Sequence, residues 1–180
     1  MLALVAVLLA GPARAHDDEV ARVVYLSLEG VTGDSTDPGH EGQFKLRRYG
    51  ETWRAATDAT TGQVTGKLQL GPLVFTTTSG HGTFELKKLM TTNRVVPKAT
   101  FEFLDGAEGK PLKVTARVTL TSARVAAVTE QTVEGRRVDE VQLQFRKGKW
   151  EVLDPADSFD FDASPTTALT GGTARPPVIQ

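Results

Sequence analysis

The stretch VTARVTL at residues 114–120 decides the fold class, because its apolar and polar side chains alternate at every position. The same period of two recurs in ATFEF at residues 99–103 and in VQLQF at residues 141–145. One dry and one wet face are typical of antiparallel strands, whose dry face needs a second sheet or barrel closure to cover it. The sequence therefore predicts an all-β protein, built as a mostly antiparallel β-barrel or two-sheet sandwich.

Weaker patterns on the N-terminal side of this region predict further strands. Residues 20–28 alternate, residues 43–49 form a short candidate, and LVFTTT at residues 73–78 is rich in β-branched side chains. The interval 54–71 is rich in Thr and Gly and predicts irregular strands. Short turns are predicted at Asp105-Gly106, residues 108–110, Glu134-Gly135 and Lys147-Gly148-Lys149.

One short α-helix is predicted after the break at residues 79–82, SGHG. Thr83 is the predicted N-cap, and Pro97 prevents the helix from continuing far beyond Asn93. The apolar positions recur at helical spacing, at Phe84, Leu86, Leu89 and Met90. We expect this stripe to face the core.

The composition excludes several classes of protein. The chain has 180 residues, of which 39% are hydrophobic, and this suits one domain with a hydrophobic core. It contains no Cys, which excludes disulfides, thiolate zinc sites and cysteine nucleophiles. Its 21 Lys and Arg against 22 Asp and Glu give a formal charge of -1, without the basic excess that a nucleic-acid partner requires.

The two ends of the chain differ from the middle. LALVAVLLA at residues 2–10 precedes an A-x-A tripeptide, which is typical of a secretory signal peptide and too short to span a bilayer. We expect residues 1–15 to be removed and the protein to be exported, periplasmic or secreted, with no stable membrane insertion. Residues 16–154 then form the domain, and residues 155–180 a disordered tail rich in Pro, Thr, Gly and Ala. The acids of this tail are expected to be solvated, namely Asp157, Asp160 and Asp162.

The polar loop at residues 30–42 collects the residues that could do chemistry. Ser35 with a D-x-x-H spacing at Asp37 and His40 suggests an esterase, but one flexible turn would have to hold both base and nucleophile. Asp34 with Asp37 suggests calcium, but the spacing does not reproduce an EF-hand loop. Asp, Ser and Gly are the ordinary residues of turns, so we assign no catalytic residue, cofactor or metal here.

A copper enzyme is a further alternative. Removal of residues 1–15 leaves His16 at the N-terminus, and an N-terminal His with a second His can form the copper brace of secreted lytic polysaccharide monooxygenases. His40 or His81 would be the partner. The acidic run after His16 is more typical of a solvated extension, and no second set of groups to orient the imidazoles is evident. The protein is therefore interpreted as not an enzyme.

The segment YLSLEGVTGDSTDPGHEG at residues 25–42 resembles the opening of the haemolysin-coregulated protein (Hcp) family, the tube protein of the type VI secretion system. The family begins with a strand Y-L-x-[IL]-x-G and a G-x-S-x-D-x-x-H-type loop. The resemblance extends over residues 23–152. Its later parts are VFTT at 74–77, the helix at 84–90, VVPKA at 95–99, and EVQLQF at 140–145 followed by Trp150.

The resemblance implies a β-barrel with one helix, a non-catalytic structural role, and six-membered rings that stack into a hollow tube. The partners that it implies are copies of the same chain, with secretion-apparatus proteins or effector cargo beyond them. It also implies that the loop from Thr32 to Gln43 is a projecting arm that reaches a neighbouring ring. The assembly residues expected in this loop are Thr32, Gly33, Asp34, Ser35, Thr36, Asp37, Gly39, His40 and Glu41.

Two features keep an alternative open. The family often has an aromatic-aliphatic pair after this loop, where the chain has Gln43-Phe44, and Arg47-Arg48 stand where a neutral or apolar strand is expected. Tube subunits are also built in the cytoplasm and ejected by the machine, whereas residues 1–15 suggest general export. The alternative function is an exported Hcp-like binding module without tube assembly. The alternative location is cytoplasmic assembly followed by type VI export.

Overall fold

Ten β-strands and one α-helix are found in the structure, a computed structural model that describes residues 21–58, 60–106 and 111–163. The strands are antiparallel throughout these ranges, which confirms the all-β class with one short helix. The elements are β1 Ala21–Leu28, β2 Phe44–Gly50, β3 Trp53–Thr57, β4 Val64–Leu70, β5 Leu73–Thr78, α1 His81–Thr91, β6 Val96–Gly106, β7 Lys113–Val133, β8 Arg136–Gln144, β9 Lys147–Leu153 and β10 Ala156–Asp162.

The barrel closes because the two halves of β7 pair with different strands. Its first half pairs with β6 on one side and β9 on the other, and its second half, from Arg124, pairs with β8. The strands β7, β6, β1, β2, β5 and β8 thereby form a closed ring of hydrogen-bonded neighbours. β9 and β10 extend the sheet beyond this barrel, and β3 and β4 form a separate hairpin. Within the described ranges, no helix is both long and apolar enough to cross a bilayer.

The core is built from the alternating positions that predicted the strands. Phe101, Val118 and Val141 have no solvent exposure, and the intervening polar residues lie on the other face. Phe101 also meets Phe75 and Tyr49 edge-on, at centroid distances of 6.1 and 5.3 Å. Tilted aromatic pairs of this kind add to the stability from buried area.

The helix begins earlier than predicted. Gly80 is the N-cap, and Thr83 stands at the third helical position, where its hydroxyl accepts a hydrogen bond from the Gly80 amide at 3.0 Å. Thr83 therefore supports the N-terminus from within the first helical turn, and its assignment as the N-cap was wrong. Leu86 is fully buried, as expected, but Phe84 is 57% exposed and does not belong to the core face.

Several predicted turns and strands are corrected by the pairing. Glu134-Gly135 does form a hairpin turn, since both residues have positive φ (51° and 72°), as a type I′ turn requires. Asp105-Gly106 is instead the end of β6. The interval 54–71 contains the β3–β4 hairpin, and the pairing of its strands shifts register between Ala55 and Thr57, so the strands are irregular as predicted. The turn predicted at 108–110 lies outside the described residues.

The C-terminal boundary at residue 154 was wrong, because β10 pairs along its full length with β9. Lys147-Gly148-Lys149 is accordingly not a turn but the start of β9. The reason is a contact between the two strands: the Phe161 ring lies on Gly148, where an added Cβ would come within 2.2 Å of the ring. Phe161 is thereby buried. Asp157, Asp160 and Asp162 are exposed, as predicted.

A charged cluster joins the helix to the barrel. Lys87 Nζ lies 3.2 Å from Oδ1 of Asp139, which has no solvent exposure, and 3.1 Å from Oε2 of Glu130. Burial raises the pKa of Asp139, but the nearby Thr83 and Ser79 hydroxyls and the Lys87 ammonium outweigh it, so the net pKa lies below its ordinary value. The folded state therefore holds this carboxylate in its charged form.

Gly148→Ala should destabilise the protein by about 1–3 kcal/mol, because the methyl group displaces the Phe161 ring from its seat. Urea unfolding followed by circular dichroism measures this change. Gly50→Ala is the matched control, since its Cβ would meet nothing closer than 3.9 Å. Equal effects of the two substitutions would show that the ring contact does not hold β10.

The lowered pKa of Asp139 predicts acid sensitivity. The folded state binds this proton more weakly than the unfolded chain, whose Asp pKa is about 3.9, so the contribution of Asp139 to stability is present above that pH and is lost as pH falls through the lower folded value. Asp139→Asn should flatten the fall in unfolding free energy between about pH 5 and pH 3. The exposed Asp157→Asn is the control, and an unchanged slope in Asp139→Asn contradicts the assignment.

Candidate assembly surface

The loop that joins β1 to β2 is an ordered structure with paired limbs. The Gly33 amide donates to the Gly42 carbonyl at 2.7 Å, the Gly42 amide donates to the Ser35 carbonyl at 2.9 Å, and the Ser35 amide donates to the Gln43 carbonyl at 2.9 Å. At the tip, the His40 amide donates to the Asp37 carbonyl at 2.9 Å, and Gly39 has φ 80°. Pro followed by Gly at positive φ is the sequence signature of a type II turn. The loop therefore holds its shape by its own hydrogen bonds.

The tip of the loop is fixed to β1 and β2 by a ring stack and a charge pair. The His40 ring lies parallel to the Tyr25 ring at 3.9 Å, and the Tyr25 hydroxyl donates to Asp37 Oδ2 at 2.6 Å. Lys45 Nζ lies 2.9 Å from the same oxygen. The Tyr25 hydroxyl and Lys45 hold the pKa of Asp37 below its usual value, while burial and Asp37 raise the pKa of Tyr25. Asp37 is therefore a charged acceptor of two donors.

The base of the loop is fixed to the helix. Asp34 Oδ2 accepts a hydrogen bond from the Gly82 amide at 3.0 Å, within the first turn of α1. A carboxylate there satisfies an amide that the helix leaves without a partner and complements the helix dipole. The approach requires glycine, since a Cβ on Gly33 would lie 2.4 Å from the Gln43 carbonyl, and one on Gly82 would lie 2.6 Å from the Phe44 ring. Asp34 is thus a structural anchor.

These contacts bear on the chemical alternatives raised by the sequence. The Ser35 hydroxyl accepts from the Asp37 amide at 3.2 Å, and His40 Nδ1 lies 3.2 Å from the Gln43 side-chain oxygen, so the structure places Ser35 and His40 in different contacts. His81 is the exposed first residue of α1, and His16 lies outside the described residues. In the part of the chain that the structure describes, no group of three metal-binding side chains is found.

What remains exposed in the loop is a small polar surface. Its outward side chains are not engaged by hydrogen bonds or ion pairs within the described chain, so they are free to contact another molecule. They are Thr32, Thr36 and Glu41, together with the Pro38-Gly39 turn. Asp34 is also exposed while it anchors the loop. Such a surface offers shape and hydrogen bonds to another molecule.

Sequence reasoning missed three of the groups that hold this surface. In the alternating pattern of residues 20–28, Tyr25 falls opposite the apolar Val24 and Leu26, yet it is only 4% exposed because the His40 ring covers it. Lys45 and Gly82 were not considered. The sequence does carry a signal for Tyr25 and Lys45, since they lie on the adjacent strands that flank the loop. The Gly82 contact depends on where α1 lies in space, which the sequence pattern does not show.

The two arginines of β2 are accommodated by a β-bulge. The pairing with β5 moves from Leu46–Thr77 to Arg48–Thr76, so Arg47 is the extra residue. The bulge leaves both arginines exposed, and it returns Tyr49 to the inner face, where it packs on Phe101 and Phe103. Neither Arg47 nor Arg48 is therefore buried in the core.

Several Hcp proteins are among the solved structures that resemble this one. The Hcp1 protein from the E. coli EAEC 042 pathovar matches with a TM-score of 0.72 at 19% identity, over 79% of this chain and 98% of that one. An Hcp protein matches with a TM-score of 0.75 at 17% identity, over 81% and 100%. The secreted protein Hcp3 from Pseudomonas aeruginosa matches with a TM-score of 0.62 at 14% identity, over 81% and 100%. At these identities the likeness shows a common fold.

Sequence comparison gives the family. The search of curated protein sequences finds no significant match. The family model described as "Type VI secretion system effector, Hcp" matches residues 25–152, which span β1 to β9 and include the anchored loop. The chain therefore belongs to the Hcp family of type VI secretion system proteins.

Proposed function

We propose that this chain is a non-catalytic structural subunit that assembles with copies of itself into six-membered rings, which stack into a type VI secretion tube. The observation that carries the proposal is the family match across nearly the whole barrel, from residue 25 to residue 152. The polar residues of the loop support it, since their observed contacts hold the loop in shape.

An open sheet edge also supports assembly. Among the strands that the structure describes, β10 pairs only with β9, so within this part of the chain its outer edge carries backbone donors and acceptors without a strand beside them. Large apolar side chains are exposed on these two strands, at Val152, Leu153 and Phe159. Exposed edges and apolar side chains favour association, and proteins usually cover or blunt them. A neighbouring copy in a ring would cover this edge.

The loop at residues 32–41 is the proposed contact between stacked rings. Its anchors on Tyr25, Lys45 and Gly82 fix its shape before docking, so association would lose little conformational freedom. The side chains left to make the contact are Thr32, Thr36 and Glu41 at the surface. A rigid polar projection of this kind suits repeated docking between identical rings.

We further propose that residues 1–15 are a cleaved signal peptide and that the mature chain acts outside the cytoplasm. The apolar run and A-x-A tripeptide support this, and they also favour the second candidate function, an exported Hcp-like binding module without tube assembly. The intact mass of the protein from its native host should correspond to a chain that begins at His16. A mass that includes Met1 to Ala15 would instead support cytoplasmic assembly followed by type VI export.

The full chain should form rings in analytical ultracentrifugation and higher stacks as the concentration rises. Thr36→Arg with Glu41→Arg should abolish stacking and leave single rings intact, because these exposed side chains have no internal contacts to lose. Arg94→Glu, on the exposed segment after α1, is the matched control. A strictly monomeric wild type contradicts ring formation, and unchanged stacking in the loop variant contradicts only the role of the loop.

A further inference from the structure

The barrel wall is open between β1 and β2. The two strands pair only over residues 24–26 of β1 and 44–46 of β2. Before that contact, residues 21–23 pair with β6, and beyond it, residues 48–50 pair with β5. A cleft of about 500 Å³ is lined by these parts of β1 and β2 and by residues of β6, β7 and β9. Its volume falls in the range of ordinary binding pockets.

The floor of the cleft is aromatic and held rigidly. Trp150 stacks on Phe103 at 5.5 Å, and Tyr49 meets Phe103 edge-on at 4.8 Å. Glu51 fixes the two outer rings, since it accepts hydrogen bonds from Trp150 Nε1 at 2.9 Å and from the Tyr49 hydroxyl at 3.2 Å. Burial and the Glu51 charge raise the pKa of Tyr49, so its hydroxyl stays a donor. The floor is thus a preformed seat for an apolar group.

The rim of the cleft is basic. Arg22, Arg47 and Arg48 line it. Arg22 is paired with Asp105 at 2.8 Å, and Arg47 donates to the Thr78 hydroxyl at 3.3 Å. Arg48 has no partner among the described residues. The β2 sequence, FKLRRYG, carries three bases and no acid. Arginines beside aromatic rings favour an aromatic group that carries negative charge next to it.

Strand β10 has the complementary character. Its sequence, ADSFDFD, carries three acids and no base. Phe159 lies between Asp157 and Asp160, and it is 53% exposed although Phe161 on the same strand is 8% exposed. β10 is also the open edge of the sheet. An exposed aromatic ring flanked by carboxylates is what the cleft is built to receive.

We propose that β10 of a second copy docks at this cleft, with Phe159 on the aromatic floor and its flanking aspartates against the arginine rim. The inference rests on the proposed self-assembly and names the side chains that make the contact within a ring. In one chain the two surfaces adjoin, since Phe159 is the register partner of Trp150 and meets Trp53 edge-on at 5.7 Å. The contact pairs β10 of one copy with the cleft of another, so it is heterologous. Each bound copy leaves one cleft and one β10 free, and the series ends only when a ring closes.

Charge reversal tests the contact in the full chain. Arg47→Glu with Arg48→Glu should raise the midpoint concentration of assembly at least about tenfold, and so should Asp157→Lys with Asp160→Lys. All four changes in one chain restore the complementarity and should restore rings. A mixture of the two double variants should also assemble, because the cleft of each variant is complementary to β10 of the other, and the two chains should then alternate. Glu134→Lys with Arg136→Glu, exposed on the β7–β8 turn, is the matched control.

Cysteine cross-linking gives a second measurement that does not depend on reversed charges. The chain has no Cys, so introduced thiols react only with each other. Under mild oxidation, a mixture of Arg48→Cys and Asp160→Cys chains should yield a disulfide-linked heterodimer. A mixture of Arg48→Cys and Arg136→Cys chains should not. Circular dichroism confirms that each variant is folded.

The outcomes separate this inference from the proposed function. A wild type that stays monomeric at every concentration overturns both. A wild type that assembles, with charge-reversed variants that assemble equally well and no selective cross-link, overturns the docking alone and assigns the cleft to another occupant. Loss of assembly in both double variants, restored in the fourfold variant, together with the selective cross-link, establishes the contact.

Discussion

The structure depends on β7 pairing with β6 and β9 along its first half and with β8 along its second half. For this, the inward-facing positions of β7 must change from one alternating set of residues to the other along the strand. Val118 and Leu120 point inward, then Ser122 takes a positive φ of 54°, and Ala123 and Val125 point inward after it. A bulge after Val125 changes the phase again. Each irregularity turns the strand without exposing the core, because the apolar residues of the sequence shift by one position at the same places. Without this correspondence the strand could not close the barrel against β8.

A β-bulge also explains how β2 accommodates Arg47 and Arg48, at positions where the family resemblance led us to expect neutral or apolar residues. A regular strand through β2 would turn Arg48 into the core and Tyr49 to solvent. The extra residue at Arg47 reverses this assignment, so that Tyr49 packs inside and the charges stay outside. β2 can therefore separate from β1 after Leu46 while it remains paired with β5, and both strands line the cleft there.

The sequence predicted what depends on unbroken local patterns. The strands at 99–103, 114–120 and 141–145, the hairpin turn at Glu134-Gly135 and the existence of the helix are confirmed. The sequence could not predict β10, because the strand is stabilised by a contact between distant residues. The Phe161 ring packs on Gly148 of β9, and local periodicity does not show this contact. The assembly residues of the loop were placed by family resemblance. Their anchors depend on contacts between distant segments, which period and composition do not encode.

The loop also shows how residue types that are common in active sites can hold a turn in shape. Asp, His and Ser are frequent in catalytic sites because they accept and donate hydrogen bonds, and these abilities also hold a turn in shape. In this loop Asp34 binds a helix amide, Asp37 binds Tyr25 and Lys45, and His40 stacks on Tyr25. Each of these groups makes its observed contact with the protein's own framework. The loop is therefore organised to present a fixed surface, which is the property that repeated association between identical subunits requires.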